Sequence, residues 1–358
     1  MKLPSHRDLI SGRASGPAAV LARGGLSFAS FFYGAAVRAR NEAFDRGVLR
    51  AHAASVPVLS IGNLTAGGTG KTPVVAAIVD WFTSRGVRPA ILSRGYRAHA
   101  GGVNDEKLVL DQLCPGVPHL QGPDRVISAR TACEREGAQV LVLDDGFQHR
   151  RLARDLDLVL IDALDPWGAG RLLPRGLLRE PRAALRRADA VIVTRADQCT
   201  SEQKSRLIQE VRCDRPNEVP IEAVFRPTGL INAEGTCAAI ESLDAVAAFC
   251  GIGNPEGFRR TLTDAGVGQI AAFRAFPDHH HYSEADMRDL ALWAHEQRAR
   301  SLLTTQKDLV KIPHCQLGDV PLWALGVRAE FVSGEQRLSG MLQDLVKRIS
   351  APNLSKFQ

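Results

Sequence analysis

Gly62-Asn63-Leu64-Thr65-Ala66-Gly67-Gly68-Thr69-Gly70-Lys71-Thr72-Pro73 is the stretch whose reading decides the fold. It follows the apolar run Val56-Pro57-Val58-Leu59-Ser60-Ile61 and precedes Val74-Val75-Ala76-Ala77-Ile78-Val79. That order is strand, glycine-rich turn, helix, the context a phosphate-binding loop requires. Lacking Cβ atoms, Gly67, Gly68 and Gly70 let backbone N–H groups turn inward around an anion. The dipole of the following helix adds positive potential. Lys71 supplies a cation for the β and γ phosphates of a nucleotide, and the Thr72 hydroxyl supplies a ligand for Mg2+. Thr65, Ala66, Gly67, Gly68, Thr69, Gly70, Lys71 and Thr72 are therefore the expected nucleotide-binding residues. The usual pattern places Gly five positions before Gly70, where this chain has Thr65. A chance Gly-Lys-Thr in a turn is the plain alternative, and the flanking strand and helix argue against it.

Composition narrows the class. The 358 residues suffice for two domains with a sizeable core. An apolar content of 45% with 23% charged residues is that of a soluble globular protein. A formal net charge of +6 points to acidic partners, among which nucleotide, nucleic acid and anionic membrane are not separated by charge alone. The seven cysteines (Cys114, Cys133, Cys199, Cys213, Cys237, Cys250, Cys315) are scattered and never form a Cys-x-x-Cys pair. Reduced cytosolic thiols are thus expected, not disulfides or a zinc site. No run of eighteen apolar residues is free of charge, which argues against a helix crossing a bilayer. Arg23 also breaks the late apolar stretch near the N-terminus, so no signal peptide is expected.

Residues 17–41 have helical character, with Leu21, Leu26, Phe28, Phe31, Phe32, Tyr33 and Val37 flanked by Arg23, Arg38 and Arg40. Such a helix can lie in a membrane interface, and it can equally pack on the protein as an ordinary amphipathic helix. From Val56 to about Arg195, short apolar runs alternate with helical ones: Ala90-Ile91-Leu92-Ser93, Val140-Leu141-Val142-Leu143, Leu158-Val159-Leu160-Ile161 and Ala190-Val191-Ile192-Val193. This pattern predicts an α/β fold with a parallel sheet covered on both faces. Ligands of such sheets sit beyond the carboxyl ends of the strands. Four polar clusters fall there: Thr65 to Thr72, Ser93-Arg94-Gly95, Asp144-Asp145 and Asp162. After about Arg195 the pattern changes: residues 200–226 are polar and then extended, and a second, smaller αβ unit with its own sheet is expected to begin near Val246 and continue through 302–305 and 320–325. The tail after Ala351 is expected to fray.

Asp144 and Asp145, in Leu143-Asp144-Asp145-Gly146-Phe147-Gln148, emerge from a buried strand. In phosphate-loop enzymes an acid there holds Mg2+, and adjacent carboxylates repel unless a cation lies between them. A turn with an Asp cap is the alternative. Asn104-Asp105-Glu106 reads, by itself, as solvated loop. In Phe276-Pro277-Asp278-His279-His280-His281-Tyr282, three consecutive histidines cannot all face one metal, so zinc is not expected. One of them can carry a proton or orient an acid, with His280 and His281 read as exposed loop imidazoles. Arginines are dense from Arg150 to Arg187; most read as solvated, and Arg179 is singled out as a phosphate contact. The few aromatics do not interleave with them, which argues against a nucleic-acid partner. Thr304-Thr305-Gln306-Lys307-Asp308 is a weak base-reading pattern, explained nearly as well by a Thr-capped helix start.

Taken together these segments resemble the tetraacyldisaccharide 4′-kinase family. The matching stretches are Gly62 to Pro73, Ser93-Arg94-Gly95-Tyr96, Asp144-Asp145-Gly146-Phe147-Gln148-His149, Arg171-Leu172-Leu173-Pro174, Leu178-Arg179-Glu180-Pro181, Cys250-Gly251-Ile252-Gly253-Asn254-Pro255, Phe276-Pro277-Asp278-His279 and Thr304 to Asp308. The resemblance implies transfer of the ATP γ-phosphoryl group to the 4′-hydroxyl of a tetraacylated glucosamine disaccharide 1-phosphate, a step of lipid A biosynthesis that yields lipid IVA. It implies a P-loop NTPase-like kinase domain (46–225), a smaller hinged α/β domain (226–350) and an N-terminal membrane-associated helix (1–45). The implied location is cytoplasmic, peripheral on the inner membrane, with no protein partner evident. It implies Asp105 as the acid that takes the hydroxyl proton, His279 as its partner, Lys71 and Arg179 on phosphate, and Thr72, Asp144 and Asp145 on Mg2+. Where the family has Gly-Asp-Glu-Pro this chain has Asn104-Asp105-Glu106-Lys107; Gly168-Ala169-Gly170 replaces Gly-Asn-Gly, and Gln306 replaces a Glu. A phosphate-loop GTPase is the main rival, opposed by the missing Cys-x-x-Cys and the lack of a clear Asn/Thr-Lys-x-Asp turn. A peripheral membrane protein with a regulatory nucleotide site is the other.

Overall fold

Strands in this chain are short and apolar because they are buried on both faces, and the computed structural model, which describes residues 9–10, 12–95 and 104–350, bears this out. Tyr96, from the family-like segment after Ser93, and the tail after Ala351 lie outside the described residues. Helix α1 (Pro17–Asp45) starts at Pro17, whose fixed φ suits a first helical position. Strand β1 (Val58–Asn63) leads through the glycine turn into helix α2 (Lys71–Thr83). There follow β2 (Pro89–Ser93), α3 (Asp105–Leu113), β3 (His119–Gln121), α4 (Arg125–Glu134), β4 (Val140–Asp144), β5 (Leu156–Asp162), β6 (Ala190–Thr194) and α5 (Ser201–Asp214). Next come β7 (Ile221–Ile231), β8 (Cys237–Ala238), β9 (Ala245–Cys250), α6 (Pro255–Asp264), β10 (Gln269–Ala275) and α7 (Glu284–Glu296). The chain then forms β11 (Ser301–Thr305), α8 (Gln306–Leu309), β12 (Gln316–Leu317), β13 (Val320–Ser333) and α9 (Glu335–Ser350).

One 13-stranded sheet runs through the molecule in the order β10-β9-β11-β13-β7-β6-β5-β1-β4-β2-β3. The separate sheet expected for the second unit is instead hydrogen-bonded to the first through β7 and β13. All pairings are parallel along the path except β7 with β13. That exception reverses the strands beyond it. Thr194 at the end of β6 lies beside Ala223, whereas Thr305 at the end of β11 lies beside Leu325, which pairs with Leu230. The carboxyl ends of the two half-sheets therefore point toward each other, separated along β7 by about 23 Å at 3.3 Å per residue. Both sets of ligand-bearing strand ends face one cleft whose floor is the middle of the ribbon.

Buried side chains of β1, β4, β5 and β6 pack against Val74, Val75, Ile78, Val79 and Phe82 of α2, a helical face at fourfold spacing. Helix α9 returns to this core with Leu338, Leu342 and Leu345. A second core, with Phe249, Leu290, Trp293 and Leu322, lies beside β9, β11 and α7. The strands β3, β8, β10 and β12 are not apparent in the sequence because they are short or half-buried edge strands.

Helix α1 departs from the uninterrupted-run criterion. Among the described residues it is one helix long and apolar enough, by length and composition, to cross a membrane. Yet a side of it is docked lengthwise. Ser30 Oγ donates to Leu172 O (3.0 Å), Tyr33 Oη to Arg179 O (2.9 Å) and Asn41 Nδ2 to Glu180 Oε2 (2.7 Å). Gly34 permits the approach, since a Cβ there would lie 2.8 Å from Leu172 Cδ1. The other side exposes Leu21, Phe28, Phe31 and Phe32.

Gly70 caps α2 at φ 76°, and a Cβ there would lie 2.2 Å from Phe225 Cζ. Gly47 has a similar φ of 73° with no atom within 4 Å. Replacing Gly47 with Ala should cost about 1 kcal/mol of left-handed strain. Gly70→Ala should cost that plus overpacking, about 2–4 kcal/mol in all. Urea unfolding checks this, and equal losses would refute the role of the Phe225 contact.

Candidate active site

The glycine turn leaves β1 at its buried end and is fixed from below. Thr194 Oγ1 donates to Thr69 O (2.9 Å) and Asn63 Nδ2 to Thr65 O (2.6 Å). Lys71, at the start of α2, is folded back across the turn: Nζ lies 3.3 Å from Asn63 Oδ1 and 3.5 Å from Asp145 Oδ1. Arg179 Nη1 reaches the other oxygen of Asp145 at 2.6 Å. Thr72 follows on the first turn of α2, half-buried. Asp144 ends β4, and Asp145 adopts a left-handed φ of 55° that turns its carboxylate toward the lysine.

The two acids are electrostatically unequal. Burial opposes ionisation of Asp145, but Lys71 and Arg179 hold its carboxyl well below the usual range. Asp144 is pushed up to about 7 by burial and by Glu106 and Asp145, against the pull of Lys71. Its Oδ1 is buried with no hydrogen-bond partner, as is Oδ1 of Asp145. Two orphaned carboxylate oxygens beside a phosphate loop fit a hard divalent cation. Among the described residues no group of three or more His, Cys, Asp or Glu forms a self-sufficient metal cage, which suits an ion completed by phosphate oxygens.

On the same half-sheet as the glycine turn, after β2, Asp105 opens α3. Asn104 caps the helix, its Oδ1 accepting from Glu106 N at 2.9 Å. This makes Asp105 part of a helix start instead of solvated loop. His279 Nδ1 lies 3.0 Å from Asp105 Oδ2, while His279 itself sits at φ 60° with its N–H on Gly251 O (3.1 Å). Lys307 Nζ is 3.4 Å from His279 Nε2 and 3.5 Å from Glu106, and Lys311 Nζ is 4.0 Å from Asp105 Oδ2. Burial pushes the Asp105 carboxyl up, but the His279 bond and the nearby lysines outweigh it and lower the pKa overall. A half-buried carboxylate kept ionised and bonded to an imidazole can accept a proton from a hydroxyl brought against it.

Helix α3 is tied down behind this group. Lys107 Nζ donates to Asp111 (2.8 Å) and to His119 O (3.1 Å), and His119 bridges Asp111 Oδ1 (3.1 Å) and Ser93 Oγ (2.8 Å). Burial and Lys107 push His119 down to about 4, so it acts as a neutral strut at neutral pH.

The sequence-derived residues thus fall in two groups, the second of which bridges the cleft. Lys71, Thr72, Asp144, Asp145 and Arg179 converge on the glycine turn; Asp105 and His279 meet through α3 and the loop after β10. Most arginines between 150 and 187 have other partners, such as Asp45 for Arg150, Asp157 for Arg154 and Glu180 for Arg187. His280 is half-buried and stacked on Phe276, so it differs from an exposed loop imidazole. Lys307 and Asp308 join the Asp105 side: Asp308 Oδ2 accepts from Gly251 N at 2.9 Å and from Thr305 Oγ1 at 2.7 Å. The sequence reading misses Glu106, which acts on Asp144, and the buried Arg125, whose charge feels Asp145 and Asp144. It also misses Arg195, just past β6. The available signal there was Thr194-Arg195-Ala196-Asp197, a basic variant of the Asn/Thr-Lys-x-Asp turn at the end of a buried parallel strand.

A phosphate loop and paired acids on a P-loop-like sheet define a nucleotide-dependent phosphotransferase site. Residues 23–347 match the family described as Tetraacyldisaccharide-1-P 4'-kinase. Among relatives, a tetraacyldisaccharide 4'-kinase of Anaeromyxobacter sp. (strain Fw109-5) is 40% identical over 356 residues, covering 94% of both chains. One of Syntrophus aciditrophicus (strain SB) is 40% identical over 335 residues, covering 86% of this chain and 87% of its own. The crystal structure of LpxK from Aquifex aeolicus in complex with ATP is similar at a TM-score of 0.68 and 30% identity, over 90% of this chain and 99% of that one. The chain belongs to the tetraacyldisaccharide 4′-kinase family.

Replacing Lys307 with Met should raise the Asp105 pKa, because a cation that favours the carboxylate is lost. A carboxylate with a depressed folded-state pKa stabilises the fold above its unfolded value and loses that contribution as pH falls through the folded value. The variant should therefore lose the contribution at higher pH than the unaltered protein. Carboxyl-carbon NMR titration reads the midpoint directly, and an unmoved midpoint contradicts the ion-pair account.

Proposed function

We propose that this protein is an ATP-dependent kinase that phosphorylates the 4′-hydroxyl of tetraacyldisaccharide 1-phosphate, forming lipid IVA. The observation that carries this reading is the pairing of two half-sites across one cleft. A lysine-bearing phosphate loop, two acids and the half-buried Asp105 belong to one bank, and His279 reaches Asp105 from the other. In this reading Thr65 to Thr72 wrap the triphosphate. Lys71 and Arg179, which hold Asp145 in this state, turn to the γ-phosphate and the charge that develops on it. Asp105 accepts the sugar hydroxyl proton, and His279 fixes the carboxylate and its charge. The sugar oxygen forms a bond to the γ-phosphorus as the bond to the β-phosphate oxygen breaks, releasing ADP. Thr72, Asp144 and Asp145 would hold Mg2+, which when bound neutralises charge on the β and γ phosphates.

The division into an N-terminal helix (1–45), a kinase domain (46–225) and a smaller α/β domain (226–350) belongs to the same proposal. Separate buried cores on the two sides of the β7–β13 ribbon support it up to β13, whereas α9 packs Leu338, Leu342 and Leu345 into the first core; the boundary lies within β7. Membrane contact through α1, on the cytoplasmic face of the inner membrane, belongs to it as well. The support is an exposed face with Leu21, Phe28 and Phe31 at 80%, 69% and 70% exposure on a helix whose opposite side is docked on the protein. A helix held over its C-terminal half by Ser30, Tyr33 and Asn41 suits lying in the interface better than crossing it.

Two tests follow. ATP consumption should require the acylated disaccharide, and Lys71→Ala and Asp105→Ala should each lower turnover by about two to four orders of magnitude. Turnover of Asp105→Ala within tenfold of the unaltered protein would refute its role as base. Replacing both Phe28 and Phe31 with Ser should weaken co-sedimentation with anionic vesicles by about tenfold or more, since each buried ring contributes about 2 kcal/mol. Undiminished co-sedimentation would remove α1 from the membrane contact.

A further inference from the structure

Arg195 lies at the one place where the glycine turn, the end of β5, the ribbon and the second half-sheet all meet. It is 9% exposed and adopts φ 54°, a left-handed conformation costly for an arginine. Its Nη1 is 2.5 Å from Asp162 Oδ2 and 3.3 Å from Gly68 O. Its guanidinium lies over the ring of Phe225, 5.2 Å from the centroid, and the same ring abuts Gly70. Asp162 Oδ2 also accepts from Asn254 Nδ2 at 3.3 Å. Asn254 caps α6 through Gly257 N (2.9 Å), and a Cβ on Gly257 would stand 3.1 Å from Arg195 Nε. Gly253 approaches so closely that a Cβ there would lie 2.9 Å from Gly68 N.

These contacts form a chain from the phosphate loop to the start of α6, every link a charged or dipolar group with a named partner. The peptide geometry shows what it does to the loop. The N–H and C=O of one peptide point in opposite directions. With the Thr69 carbonyl bonded to Thr194 Oγ1, the Gly70 N–H is turned to the other side. Arg195 fixes the neighbouring Gly68 carbonyl, so successive peptides of the loop are set by adjacent residues at the end of β6. We propose that Arg195 is a positioning residue that presets the loop for the triphosphate. Through Asp162 and Asn254 it makes the loop's affinity depend on the placement of α6 and the second half-sheet. The proposal rests on the reading of Gly67 to Thr72 as the ATP phosphate site, and adds that residues of the second half-sheet which touch no phosphate control that site.

The test is a double-variant cycle on the full-length protein, with ATP affinity measured by calorimetry beside steady-state kinetics. Arg195→Met should raise the Kd for ATP by about tenfold or more while the KM for the lipid acceptor changes less than twofold. Arg195→Lys, able to keep one of the two contacts, should recover part of the loss. Asn254→Ala should raise the ATP Kd by about threefold, yet add nothing in the Arg195→Met background, because both act through one chain. Unchanged ATP affinity in Arg195→Met, or additive effects of the two changes, would overturn the inference. Should Arg195→Met not fold, Asp162→Asn replaces it in the cycle with the same expected non-additivity. Loss of ATP binding by the unaltered protein would overturn the loop reading itself; unaffected variants beside a protein that binds ATP would overturn this inference alone.

Discussion

The antiparallel pairing of β7 with β13 is the constraint on which the rest depends. A parallel sheet presents its ligand-bearing strand ends on one edge only. Reversing direction once, at the centre of the sheet, brings two such edges to face each other. The glycine turn, Asp144 and Thr194 project from one side; Gly251, His279 and the Thr305 turn project from the other. Phe225 of β7 lies between them, pressed against Gly70 and beneath the guanidinium of Arg195. Without that reversal His279 would lie far from the phosphate loop and from Asp105, whose helix packs in the same core as the helix after the loop. Phosphoryl transfer depends on placing acceptor and donor within reach, so this one topological feature carries much of the chemistry.

Charge within the cleft is arranged as partners waiting to be exchanged. Lys71 and Arg179 share Asp145, and Lys307 and Lys311 sit around Asp105. Asp144 keeps a buried oxygen with no hydrogen-bond partner, and burial with Glu106 and Asp145 pushes its pKa up to about 7. A triphosphate with its metal would relieve this by offering anionic oxygens to the two cations and positive charge to the two acids. Helix α1 bears on the same group, because Tyr33 holds the carbonyl of Arg179 and Asn41 holds Glu180. The exposed apolar face of α1 is therefore connected through Tyr33 to the residue whose guanidinium holds Asp145.

The phosphate loop and the buried strands were legible in the sequence because their signals are local. A glycine turn between an apolar strand and a helix needs no tertiary information, and neither does an acid pair at the end of Val140 to Leu143. What joins distant segments was not legible from the residues themselves. Asp105 reads as a solvated loop acid until His279, 174 positions later, is placed at 3.0 Å; only the family resemblance singled it out. Arg195 carries only the local mark of the Thr194-Arg195-Ala196-Asp197 turn, and its partners Asp162 and Asn254 come from separate elements. The single sheet was hidden for the same reason, since β7 and β13 are paired across about a hundred residues of chain. Half-buried edges such as β10 lack the all-apolar pattern that identified the central strands.

The central claim is that a triphosphate seated on the glycine turn is attacked by a lipid-borne sugar hydroxyl held at the Asp105–His279 pair. Phosphorus-31 NMR of a reaction with ATP and the tetraacylated disaccharide 1-phosphate tests it most directly. The account predicts a second phosphate monoester resonance on the lipid, growing in step with ADP. ATP converted to ADP and inorganic phosphate, with the lipid still bearing its single phosphate, would contradict it.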